Sequence, residues 1–387
     1  MPEVFLNPNF SPRPWGAPAL ARRGLLLAGS GLVLAGGRRA QAQDQRLPEA
    51  MRAMTGLGEV ARARGISFGA AMLTQLLQRD PAYEAAFATE AAVIVPEWEG
   101  KFAALQPEEG RFDTAPLDAQ LHWAQQRGRT LRGHALIWHE SLPGWAERAL
   151  AEGRDRALGV MAAHFDRVLN HARGQIRDWD VVNEPIATAG DRLRDTPWLR
   201  ALGPDYIDIA LRMARERDPT LRLVLNEYGF EEEVPEALLK RQQLLALLRG
   251  LLERKVPLDA LGIQGHLHLS RPFNAASFAG FLAEVRALGL QVLVTELDIR
   301  ETWDAPQEIA ARDALVAERT YAFVSTALEG GARTVLSWGL SDRNSWLAST
   351  PAVAMGQGRV HRGLPLDDHG QRKPMWQALA RAFRGGS

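Results

Sequence analysis

The 387 residues are 46% hydrophobic and 24% charged, enough apolar material to bury one large core. The absence of cysteine excludes disulfides, thiolate metal sites and a cysteine nucleophile. Basic and acidic residues balance at 46 each, and no run of Lys or Arg marks a nucleic-acid surface. At the start of the chain, Arg22-Arg23 precede a short apolar run from Gly24 to Gly37, and Ala40-Gln41-Ala42 follow. The run falls short of the roughly 18–20 residues that span a bilayer. Residues 1–42 are therefore predicted to be a cleaved export signal, and the paired arginines resemble a twin-arginine signal. Cleavage would leave 41 basic against 45 acidic residues, a mildly acidic protein in the periplasm or outside the cell, free of the membrane.

Residues 43–387 are predicted to form a single catalytic domain. Short apolar, β-branched runs recur as strands at 66–71, 92–96, 130–139, 176–184, 221–228, 261–267, 290–298 and 332–340. Between them lie Ala-, Leu-, Arg- and Glu-rich stretches such as 236–255, whose leucines recur every three or four residues. Strands alternating with helices imply parallel βαβ units, and eight of them predict an α/β fold of the (β/α)8 TIM-barrel type. No glycine-rich phosphate fingerprint follows the first strand, which argues against an open dinucleotide-binding sheet.

In such a barrel the site lies at the C-terminal ends of the strands. Here those ends are polar or aromatic: Pro96-Glu97-Trp98, then His134 with Trp138-His139, Asn183-Glu184, and Asn226-Glu227-Tyr228. Gln264 and His266, Glu296 and Asp298, and Trp338 complete the rim. There is no G-x-S-x-G elbow for a serine hydrolase. His266 and His268 could leave their strand on one face, but an isolated H-x-H is weak support for a metal, and neither a metal nor a cofactor is expected. Two carboxylates from opposite strands with indoles nearby suit glycoside hydrolysis, which needs an acid for the leaving oxygen and a carboxylate at the oxocarbenium-like centre.

The segments RGHALIWH (132–139), DWDVVNE (178–184), GIQGHL (262–267), TELD (295–298) and WGLSDRNSW (338–346) resemble glycoside hydrolase family 10, the endo-β-1,4-xylanases. The similarity runs from about Phe68 to Ala378. It implies a (β/α)8 barrel, retention of anomeric configuration and no cofactor. It also implies Glu184 as acid/base, Glu296 as nucleophile and Asn183 as the amide that binds the 2-hydroxyl of the attacked sugar. Lys101, His134, Gln264, Trp338 and Trp346 match residues lining the glycone side, and Glu97, Trp98, Trp138, Tyr228 and His266 are taken as further substrate contacts. His266 and Asp298 are expected to keep Glu296 ionised through hydrogen bonds and charge. Glu184 is expected to have a raised pKa, helped by the negative charge of Glu296.

Where the family usually has Pro-Glu-Asn-x-Met-Lys-Trp, this chain has Pro96-Glu97-Trp98-Glu99-Gly100-Lys101-Phe102. A sugar-binding Asn has become Trp98. Strand five reads Asn226-Glu227-Tyr228-Gly229 for the usual Asn-Asp-Tyr-Asn, and His139-Glu140-Ser141 lacks the usual Gln. The expected activity is thus a retaining endo-β-1,4-xylanase acting as a monomer on xylan or xylo-oligosaccharides. The alternatives are a relative with an altered glycone subsite acting on short or decorated oligosaccharides, aryl glycosides or another β-glycan, and a non-catalytic carbohydrate-binding barrel.

Overall fold

The computed structural model describes residues 55–356 and 358–385, so the expected export signal lies outside the described residues. Nine strands appear in chain order: β1 Ser67–Met72, β2 Val93–Pro96, β3 Thr130–Ile137, β4 Ile176–Asn183, β5 Arg222–Glu227, β6 Ala260–Ile263, β7 His266–His268, β8 Gln291–Arg300 and β9 Thr334–Ser337. All their pairings are parallel. The order β6-β5-β4-β3-β2-β1-β9-β8 is closed by the pairing of β6 with β8, giving a barrel of eight strands wrapped by helices. Strands covered on both faces must be apolar on both, which is why they read as continuous hydrophobic runs.

The sixth predicted strand differs from expectation. Gly265 adopts φ +76 and breaks it into β6 and β7, with β7 pairing only with β8. A left-handed backbone position suits glycine because no Cβ meets the preceding carbonyl. The break turns the chain so that His266 stands against Asp298, its partner in the β7–β8 register.

Helices fill the intervals, the longest being Arg154–Ala172, Pro235–Glu253 and Ile309–Glu329. Pro116, Pro197, Pro235 and Pro374 sit in first turns, where a missing N–H costs nothing and φ is already helical. Leu244, Leu248 and Leu251 of the second long helix are buried, as the leucine spacing predicts. Between the neighbouring strands β3 and β4, a Cβ on Gly133 would lie 2.2 Å from the Trp179 ring. Trp179 is wholly buried, so Gly133 provides the space its indole fills. Among the described residues no helix is long and apolar enough to cross a membrane.

Candidate active site

The rim is assembled where β4, β5, β6 and β8 end. Neighbouring strands in register bring Asn183 opposite Asn226, and Asn226 opposite Gly262. A Cβ on Gly262 would come 2.2 Å from Asn226 Oδ1, so the glycine makes room for that amide. Asn226 is fully buried and uses every group it has: its Oδ1 accepts from Thr295 Oγ1 at 2.7 Å, while its Nδ2 donates to Asn183 Oδ1 at 2.8 Å and to Glu296 Oε1 at 2.7 Å. Asn183 Nδ2 in turn donates to Glu184 Oε1 at 3.3 Å. Two amides thus connect the two carboxylates.

Gln264 reinforces the same arrangement, its Nε2 donating to Glu184 Oε1 at 3.1 Å and to Asn183 Oδ1 at 3.3 Å. Glu184 itself has φ +55, a left-handed position rarely taken by a residue with a side chain. Its N–H donates to Asn226 O at 2.8 Å and its carbonyl accepts from Arg194 Nε at 3.0 Å. Burial pushes the Glu184 carboxyl upward. Arg194, His139 and hydrogen bonding from Trp138 and Gln264 outweigh it, so the group is held below the usual carboxylate range. The expectation of a raised value for Glu184 is therefore corrected: in the open site the charge of Arg194 and the local donors outweigh burial.

Glu296 is 4% exposed and stands among donors. Besides Asn226, His266 Nε2 lies 3.3 Å from its Oε2, and His134 Nδ1 lies 3.8 Å from its Oε1. His266 Nδ1 meets Asp298 Oδ1 at 2.9 Å, and Asp298 Oδ2 accepts from Trp346 Nε1 at 2.5 Å. Burial alone would lower the His266 pKa. The charge and hydrogen bonds of Asp298 and Glu296 raise it to about 10, so the ring is an imidazolium at neutral pH. Below the site, Arg132 and Asp180 form a buried bidentate pair, and His134 Nδ1 lies 2.9 Å from Asp180 Oδ2. The Trp338 ring packs edge-on against His134 with centroids 5.2 Å apart.

The β2 exit supplies an ammonium among indoles. Lys101 is 2% exposed, with Nζ 4.4 Å from the Trp138 ring, 5.5 Å from Trp338 and 5.8 Å from Trp98. Cation–π attraction accounts for the arrangement, and a compact ammonium fits where a planar guanidinium would not. Glu97 beside it is half-buried to solvent yet enclosed by protein. Desolvation lifts its carboxyl to about 8 against the pull of Lys101.

Residues 56–382 match the family model for glycosyl hydrolase family 10. This chain belongs to that family. It is 31% identical over 330 residues to endo-1,4-beta-xylanase 1 of Humicola insolens, covering 84% of this chain and 73% of that protein. The crystal structure of native xylanase 10B from Thermotoga maritima superposes with a TM-score of 0.76 at 27% identity, over 85% of this chain and 98% of that one. Xylanase 10B from Thermotoga petrophila RKU-1, solved in complex with xylobiose, gives a TM-score of 0.75 at 25% identity, over 86% and 98%. The protein is a glycoside hydrolase on a (β/α)8 barrel.

Within this family 10 barrel, the expected site residues from Lys101 round to Trp346 are linked by these contacts at one end of the barrel, and the Trp98 ring lies 5.8 Å from Lys101 Nζ. Tyr228 is on the rim, its hydroxyl 3.1 Å from Thr188 Oγ1 and accepting from Arg194 Nη2 at 3.0 Å. Two participants escaped the sequence reading. Asn226 was visible as a strand end, and its signal was the repeated Asn-Glu pair of 183–184 and 226–227. Arg194 gave no signal in a chain rich in arginine. The second Asn-Glu differs chemically from the first: Glu227 is fully buried, ion-paired with Lys240 at 2.9 Å, and accepts from Ile186 N at 2.9 Å. It is a structural anchor. Among the described residues, two groups could gather round a metal, His134 with Asp180 and Glu296, and His139 with Glu140 and Glu184. Neither contains His268, whose pKa burial and two arginines press down to about 3. The first group is already occupied by Arg132.

Proposed function

We propose that this family 10 chain is an exported, retaining endo-β-1,4-xylanase in which Glu296 is the nucleophile and Glu184 the acid/base. The observation that carries the roles is the contrast between the two carboxylates. Glu296 is 4% exposed and is held in place by Asn226 Nδ2 at 2.7 Å and His266 Nε2 at 3.3 Å. Glu184 is the more exposed of the two, takes hydrogen bonds from the Asn183 and Gln264 amides, and lies in the field of Arg194, where a leaving oxygen or a water can reach it.

In the first step Glu296 attacks the anomeric carbon while Glu184 gives its proton to the departing glycosidic oxygen. Glu296 then becomes an ester and loses its charge. In the second step Glu184, now a carboxylate, takes a proton from water as that water attacks the same carbon, the ester bond breaks and Glu296 leaves as a carboxylate. A sugar chain covering the site removes water from the carboxyl and drives protonation for the first role, because burial is the largest effect acting on it. The Arg22-Arg23 leader and Ala40-Gln41-Ala42 support export of the domain beginning at residue 43.

Products from xylan, xylo-oligosaccharides, cellulose and aryl xylosides, with anomeric configuration followed by proton NMR, test the reading. Retained β-configured xylo-oligosaccharides are expected. Inverted products, or cellulose as the preferred polymer, would overturn it. The bulky Trp98 ring beside Lys101, where the family usually has Asn, favours a second reading of the substrate range, in which short or aryl substrates fare better than long xylan.

A further inference from the structure

The turn after β4 returns on itself. Ile186 bridges Leu193 in antiparallel fashion, and Ala187 N donates to Arg192 O at 2.9 Å. This places Arg194 back beside the residue at which the strand ended. Its Nε donates to Glu184 O at 3.0 Å, its Nη2 to Ile186 O at 3.0 Å and to Tyr228 Oη at 3.0 Å, and its Nη1 to Thr188 Oγ1 at 3.4 Å. The guanidinium therefore ties together the main chain on both sides of Pro185, the hairpin and the aromatic end of β5. Glu184 needs such a tie, since φ +55 is a conformation that its own side chain disfavours.

We propose that Arg194 is a positioning residue for the reaction, fixing the left-handed Glu184 backbone and lending its charge to the acid/base carboxyl while linking both to Tyr228. The proposal rests on the assignment of Glu184 as acid/base. Other charged groups face the same carboxyl: His139 and Glu140 from the β3 exit, Lys101 from the β2 exit, Glu227 from β5, and Glu296 beyond the two amides. Of these, only Arg194 hydrogen-bonds the Glu184 carbonyl among the described residues. Arg194 is also the largest opposing influence to burial on the Glu184 carboxyl.

Arg194→Gln and Arg194→Lys in the full chain separate geometry from charge. Arg194→Gln should lower kcat/KM on xylotetraose about 100-fold, the low end of what a general acid contributes. An aryl xylobioside with a good leaving group should lose far less in glycosylation. The basic limb of the kcat/KM profile should move to higher pH, because the carboxylate has lost a stabilising cation. Arg194→Lys should return that limb toward the wild-type position while recovering only part of the rate, and it serves alone if the Gln variant does not fold. Thermal unfolding is followed in parallel. Equal losses on both substrates with an unmoved limb in the Gln variant, or a limb displaced in the Lys variant as far as complete charge removal predicts, would overturn the proposal. Glu184→Ala is the control for the underlying assignment: without leaving-group dependence in that variant, the acid/base reading itself fails whatever Arg194 does.

Discussion

Asn226 Nδ2 lies 2.7 Å from Glu296 Oε1 and, with its other hydrogen, 2.8 Å from Asn183 Oδ1. One buried amide thus sets the orientation of the nucleophile and of the amide beside the acid/base. Asn226→Ala should lower kcat roughly 100-fold by loosening both groups. Leaving the buried Thr295 hydroxyl without its acceptor should also cost about 1–3 kcal/mol of stability. A variant that folds and keeps its wild-type kcat would show that Glu296 does not depend on this bond.

Removing each carboxylate should have different consequences. Glu296→Ala should lose at least about 10⁴-fold in kcat, as expected for deletion of a nucleophile. Azide should restore turnover as a glycosyl azide of inverted configuration. Glu184→Ala should retain glycosylation of substrates with good leaving groups and be slow in deglycosylation, with azide giving a retained product. Identical losses on all substrates and no azide adduct from either variant would remove the role assignments.

The pH dependence of folding should carry the mark of His266. Its folded pKa, about 10, is raised above an unfolded value near 6.5 by Asp298 and Glu296 after burial is offset. The associated stabilisation is complete below pH 6.5 and disappears as pH rises from about 6.5 to about 10, by up to about 1.4 kcal/mol per pH unit. His266→Asn should flatten that part of the profile in denaturant titrations. An unchanged slope would mean that another group titrates there.

Activity should respond to pH through Glu184. Because Arg194, His139 and the local donors hold this carboxyl low against the effect of burial, the basic limb of kcat/KM should fall on the acid side of neutrality. The corresponding limb of kcat should lie at higher pH, since bound sugar excludes water. Coincident limbs in kcat and kcat/KM would contradict the idea that substrate binding protonates Glu184.

Trp98 should set the preference for chain length. Its indole has one donor and no acceptor, and its ring is turned toward Lys101. Trp98→Asn should raise kcat/KM on xylotetraose more than on an aryl xyloside, which leaves the remote glycone position empty. A fall on xylotetraose alone would identify the indole as a sugar platform.

Much of this was legible from residues alone, for particular reasons. Val181-Val182 and Leu223-Val224-Leu225 announce strands because both faces of a parallel barrel are covered. Glu184 and Glu296 stand out as a pair, closing strands on opposite sides of the barrel with amides and indoles nearby. The break at Gly265 was not legible, since one glycine in GIQGHL does not reveal its φ. The environment of Glu184 was hidden for another reason. It depends on Arg194, ten residues away along a hairpin whose return path is written in backbone bonds. Nor could spacing distinguish Glu184 from Glu227: the difference is Lys240, supplied by a helix elsewhere in the chain.

The left-handed backbone at Glu184 has a consequence for the evolution and engineering of this enzyme. A glycine at the same place would relieve about 1 kcal/mol of backbone strain. Glu184→Gly is therefore expected to unfold at a higher denaturant concentration than the wild type while losing acid/base catalysis. Selection for robustness alone would drift toward a dead barrel, so stabilising libraries built on this scaffold need activity screening at that position.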